Sequence, residues 1–129
     1  MSELMRHAVW ILLITFALSV LYELYRATIK AGVSQHDSLR TFVSQGLPLY
    51  VAAAIVIAML FAGFTWAAWV GLIFSVALIL VSIFYYNPRI MLERQPGMID
   101  WFEDLVYTGL LFVAAALLLY DVLGKSLAP

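Results

Sequence analysis

No formally charged residue stands between Arg40 and Arg89, a run of 48 positions. As a single α-helix that run would be about 72 Å long, at about 1.5 Å per residue. A bilayer core is about 30 Å thick and takes roughly 20 apolar helical residues per crossing. One crossing cannot use the run, whereas two can, joined by a tight turn at Ala62-Gly63-Phe64-Thr65. The pattern therefore predicts a span over 47–63 and another over 65–86. Pro48 suits the first turn of the former, where its missing N–H costs nothing. Asn87-Pro88 is expected to stop the latter, because the residue before proline resists the helical region.

Two further apolar segments, 8–25 and 101–123, complete a set of four. Asp100-Trp101-Phe102-Glu103 has capping-box spacing, with Asp100 in the cap position, and Gly124 suits the far end of that helix. Open β structure would leave backbone groups unpaired in lipid. The first segment follows Arg6 as a targeting peptide would. It has no clear small-x-small cleavage pattern, however, and it ends in Tyr22, Tyr25, Arg26 and Lys30, which reads as a permanent helix. The expected fold is all-α: one integral membrane domain over 1–129, an up-down bundle of four transmembrane helices.

Composition agrees. The chain is 65% hydrophobic and 12% charged, against about 45–50% and about 25% in soluble domains, and its mean hydropathy is +1.00. These values exclude a soluble globular domain and a disordered chain. With a net charge of −1 there is no basic patch to neutralise phosphates, so no nucleic-acid partner is expected. The lipid bilayer is, together with a membrane protein partner or a second copy. The absence of cysteine removes disulfides and thiolate chemistry.

Lysine and arginine set the expected orientation. Arg6 and Lys125 lie at the termini, while Arg26, Lys30, Arg40, Arg89 and Arg94 lie in the first and third connections. Both termini are therefore expected outside and loops 26–46 and 87–100 in the cytoplasm, in a bacterial or archaeal cell membrane. Tyr22, Tyr25, Tyr50, Tyr85, Tyr86, Trp101 and Phe102 would then form an aromatic belt at the cytoplasmic face.

Ala54, Ala58 and Ala62 recur every four residues on the second span, and Ala67, Gly71 and Ser75 do the same on the third. Small residues at this spacing let helices approach closely in lipid, so the two strips are expected to face each other. In loop 26–46, Leu39, Phe42, Val43 and Leu47 follow helical spacing. That suggests a short interfacial helix over 37–45, broken by Gly46. The alternative is an extension of the first span followed by coil.

Polar residues in the spans are few. Thr15, Ser19 and Glu23 form a stripe rising toward the charged end of the first span, with Tyr22 and Arg26 nearby. Asp104 and Thr108 are placed at matching depth on the fourth, because the outer spans of an up-down bundle are neighbours. Acids at membrane depth are costly and often functional. Thr15, Ser19, Glu23, Tyr86, Arg89, Asp104, Tyr107 and Thr108 are thus the candidate lining of a polar pocket for a cation, a proton or a small polar ligand.

The competing account is structural. Glu23 pairs with Arg26 one turn away and Asp121 with Lys125. Asp100, Glu103 and Asp104 favour a helix N-terminus, and the hydroxyls bond to their own backbone. Arg89 and Arg94 are candidate contacts for lipid headgroups or a partner, beside ordinary positive-inside anchoring. His7 and His36 form no pair across spans for haem, and no metal-ligand cluster or phosphate-binding Gly-rich loop is present. No catalytic residue, cofactor or metal is expected. The leading expectation is a non-catalytic accessory or structural subunit of a membrane complex. The rival is a small homo-oligomeric transporter or channel with its polar pocket near Glu23 and Asp104.

Overall fold

The computed structural model describes residues 2–124, and over them the chain is all-helical. Four helices are long and apolar enough to cross a membrane: α1 Glu3–Thr28, α2 Leu39–Ala62, α3 Ala67–Arg94 and α4 Met98–Val122. α1 packs on α2 and most extensively on α4, and α3 packs on α2 and α4. Neighbours run antiparallel. Trp10 meets Phe61 while Phe16 meets Tyr50, and Phe16 meets Tyr107 while Tyr22 meets Asp100.

All four helices begin or end a few residues away from the expected spans. α1 starts at Glu3 because the Ser2 side chain accepts the Met5 N–H at 3.0 Å, satisfying an orphan donor of the first turn. α4 starts at Met98, not Trp101. Gly97 holds the cap position, and Asp100 reaches back to accept its N–H at 2.7 Å. The acid of the motif is therefore the partner of the cap and not the cap itself. Gly63 ends α2 at φ +77°, a conformation that glycine enters without a Cβ clash, so the expected turn forms and α3 begins just after it.

Two expected breaks do not occur. Gly46 is right-handed (φ −76°, ψ −45°), so the helix begun at Ser38 runs on into α2. The widened turns of Phe42–Gly46 lead directly into Leu47 and Pro48, and the separate interfacial helix over 37–45 becomes the first turns of α2. α3 likewise continues through Asn87 and Pro88 to Arg94, with Ser82–Met91 in widened, π-type turns. In a regular helix proline clashes with the carbonyl four residues back. Here Pro88 lies inside the widened, i→i+5 turns, and the helix carries its ring without stopping.

The half of the bundle near the 63–66 turn is closely packed. Leu12, Leu60, Leu111 and Leu118 are fully buried. A Cβ added to Gly71 would lie 3.0 Å from Leu118 Cδ1 and 3.2 Å from Leu60 Cδ1. The two small-residue strips do not face each other. Ala67, Gly71 and Ser75 are buried, whereas Ala54, Ala58 and Ala62 are exposed. α2 turns Ala53, Val56, Ile57 and Leu60 inward instead, because the hollow at Gly71 accommodates a leucine better than another small residue. Large apolar side chains such as Ile14, Leu21, Ile73 and Leu80 cover the outside.

Candidate functional site

The end of the bundle opposite the 63–66 turn gathers the end of α1, the 29–38 connection, the end of α3 and the start of α4. Four charged side chains are nearly inaccessible there: Arg26 (1% exposed), Asp37 (0%), Arg94 (3%) and Asp100 (6%). Arg26 holds Asp37 through both oxygens, Nε to Oδ1 at 2.9 Å and Nη2 to Oδ2 at 2.6 Å. It also donates to the Arg94 carbonyl at 2.7 Å and to Asp100 Oδ1 at 3.3 Å. Arg94 Nε donates to Asp37 Oδ1 at 2.9 Å, while its two Nη atoms clasp both Glu23 oxygens at 2.8 and 2.7 Å. The Tyr86 hydroxyl lies 2.8 Å from Arg94 Nη1, and the Tyr22 hydroxyl donates to Asp100 at 2.6 Å.

Planar guanidinium forks suit this bidentate work, and lysine cannot replace them. Taking charges out of water is costly unless each finds partners, and here Arg26, Asp37, Arg94 and Asp100 each have at least two. Burial pushes the Asp37 carboxyl up. Hydrogen bonds from Arg26 and from the Ser34 hydroxyl, with the charges of Arg94 and Arg26, override this and hold it below the ordinary carboxylate range.

Beneath this network, toward the bundle interior, lies a cavity of about 290 Å³. Glu23 and Arg94 form one wall. Ser19, Tyr50, Tyr86 and Tyr107 contribute hydroxyls, and Phe42, Leu49, Leu78 and Val81 form an apolar side. Ser19 Oγ and Tyr50 Oη lie 2.8 Å apart. Glu103 and Asp104 also face the cavity. Asp104 is 8% exposed. Among the described residues neither acid has a cationic partner within ion-pair distance. Nor do the described residues hold a group of three or more His, Cys, Asp or Glu side chains placed for a metal ion.

Of the expected pocket residues, Ser19, Glu23, Tyr86, Asp104 and Tyr107 line this cavity. Thr15 does not: its hydroxyl bonds to the Ile11 carbonyl at 2.6 Å. Thr108 pairs with Ser82 at 3.0 Å, outside the lining. Arg89 is exposed and lines nothing. Arg94, expected at a headgroup or partner surface, is instead the buried cation of the site, because Glu23 and Asp37 supply the charge that water would otherwise supply. Glu23 is therefore paired with Arg94 and not with Arg26.

Tyr22, Tyr50 and Tyr86 point their hydroxyls inward, to Asp100, Ser19 and Arg94 respectively. His36 meets Glu93 at 2.7 Å, tying the 29–38 connection to α3, and His7 caps back onto the Glu3 carbonyl. Asp121 accepts from the Ser2 hydroxyl; its expected partner Lys125 lies outside the described residues.

The sequence reading missed Asp37, Arg26, Asp100 and Glu103 as members of one site. The only available signal was the concentration of charge in the first and third connections, which does not specify pairing. No protein-family model, no curated protein and no solved structure matches this chain.

Proposed function

We propose that this chain is an integral membrane protein that crosses the bilayer four times and acts as a non-catalytic accessory subunit, holding a small polar ligand in the cavity at its charged end. Both termini lie outside, and loops 26–46 and 87–100 lie in the cytoplasm of a bacterial or archaeal cell membrane. The exposed leucine, isoleucine and phenylalanine side chains of all four helices support a lipid surround, since soluble monomers rarely expose such contiguous apolar area.

The observation that carries the ligand reading is the cavity itself. Glu103 and Asp104 face it without a cation, and uncompensated acids at membrane depth are expensive. The half of the bundle around Leu12, Leu60, Leu111 and Leu118 is closed, which favours a binding site over a continuous path through one chain.

The rival, a self-associated transporter or channel, draws on the same pocket. Chemical crosslinking in native membranes followed by sizing in mild detergent separates the two. A complex with other chains supports the accessory reading, and a homo-oligomer supports the rival. Glu3→Cys and Leu92→Cys test the crossing pattern. Labelling of Glu3→Cys from outside and of Leu92→Cys only after permeabilisation is expected, and the reverse pattern overturns the orientation.

A further inference from the structure

The widened turns of α2 and α3 sit on either side of the cavity. Phe42 and Gly46 line it from one, and Ser82, Tyr86 and Ile90 from the other. No sustained helix contact joins these two stretches, although α2 and α3 pack elsewhere along their lengths. A seam is thus left between the helices on this side. Val81, at its α3 edge, lines the cavity and is also 48% exposed on the outer surface. π-type turns inside helices occur frequently at functional sites.

The chemistry changes across the cavity. The seam side carries no charge, with apolar Phe42, Leu49 and Val81 beside neutral Thr41, Gln45 and Tyr85, while the inner side carries Glu103 and Asp104, and the Tyr50 and Tyr107 rings line the same cavity. Glu23 is paired with Arg94, so the acids left facing the cavity without a cation are Glu103 and Asp104. Without a third ligating side chain, a metal ion is poorly served. Carboxylates beside aromatic rings suit an organic ammonium group, which gains from both Coulomb attraction and the ring faces. The volume, about 290 Å³, is at the small end of ligand sites, which run from about 300 to 1,000 Å³. It suits a head group and a few carbons better than a whole lipid.

We infer that the cavity takes a single-chain amphiphile with a cationic ammonium head, which enters sideways from the bilayer through the seam between α2 and α3, its head reaching Glu103 and Asp104 and its tail remaining in lipid. This rests on the ligand-binding reading above and names the class of ligand.

Native mass spectrometry of the full chain in zwitterionic nanodiscs tests it with four probes: dodecylamine, dodecanol, dodecanoate and ethylammonium. Dodecylamine is expected to bind at one per chain, and to bind at least about tenfold more weakly to Glu103→Gln and to Asp104→Asn. Val81→Trp, an exposed change at the seam, is expected to slow dodecylamine binding while leaving the melting temperature unchanged, so the inference stays testable if a carboxylate variant fails to fold. Equal binding of dodecanol or dodecanoate overturns the cationic head and leaves the pocket standing. Equal binding of ethylammonium, or an unaltered rate in Val81→Trp, overturns the lateral route. Binding of none of the four overturns both this inference and the ligand-binding reading.

Discussion

Asp37 and Arg94 are 57 residues apart in the chain and joined by a 2.9 Å hydrogen bond from Arg94 Nε to Asp37 Oδ1, with Asp37 fully buried. The same carboxylate is clasped by Arg26, so one acid in the α1–α2 connection fastens the ends of two helices. Removing a single partner from a buried ion network costs far more than the intact network contributes, because the remaining charges stay buried and uncompensated.

Asp37→Asn should therefore destabilise the protein by about 3–5 kcal/mol, the usual cost of breaking a buried pair. Thermal unfolding in mild detergent measures it. An unchanged melting temperature would show that the two guanidinium groups find other partners or water. Arg94→Lys should also lower stability, because lysine cannot clasp both Glu23 oxygens and reach Asp37 together.

The pH dependence follows from the depressed Asp37 carboxyl. A group held below its ordinary value, near 3.8, stabilises the folded state fully at pH values above that ordinary value. The contribution is lost as pH falls through the lower folded-state value. Wild type should accordingly lose melting temperature on acidification below about pH 4. The gap between wild type and Asp37→Asn should narrow over the same range. A gap that is constant or widens on acidification contradicts the assignment.

Gly71 and Ala58 should respond unequally to the same enlargement. Gly71→Leu drives a side chain into Leu60 and Leu118, which already lie 3.2 and 3.0 Å from the site of a Cβ, and should cost about 1–3 kcal/mol or more. Ala58→Leu, on the exposed strip, should stay within about 0.5 kcal/mol. Melting curves of the two variants, side by side, check both.

Ser75 Oγ is buried with no hydrogen-bond partner. An unsatisfied buried hydroxyl costs about 1–3 kcal/mol, so Ser75→Ala should raise the melting temperature slightly. A fall would mean that the hydroxyl has a role in holding α3 that its surroundings do not reveal.

The number of helices, their apolar character and the glycine turn at Gly63 were legible in the chain, because run length, hydropathy and left-handed backbone preference are local properties. The pocket was legible in outline through Glu23 and Asp104, since both acids sit at similar depth on helices that had to be neighbours. Helix persistence through Gly46 and Pro88 was not legible. It depends on widened turns, and single-residue propensities describe regular ones.

What the sequence determined alone is a chain too apolar for water and able to form four membrane-length helices. Tertiary structure decided which charges meet: that Glu23 takes Arg94 and not Arg26, that Asp37 bridges both arginines, and that Glu103 and Asp104 are left facing a cavity. The physical reason is that pairing in a buried network depends on how each helix is rotated and where it ends. A small rotation of a helix, such as the one that turns Leu60 and not the alanine strip toward Gly71, changes which side chains can touch.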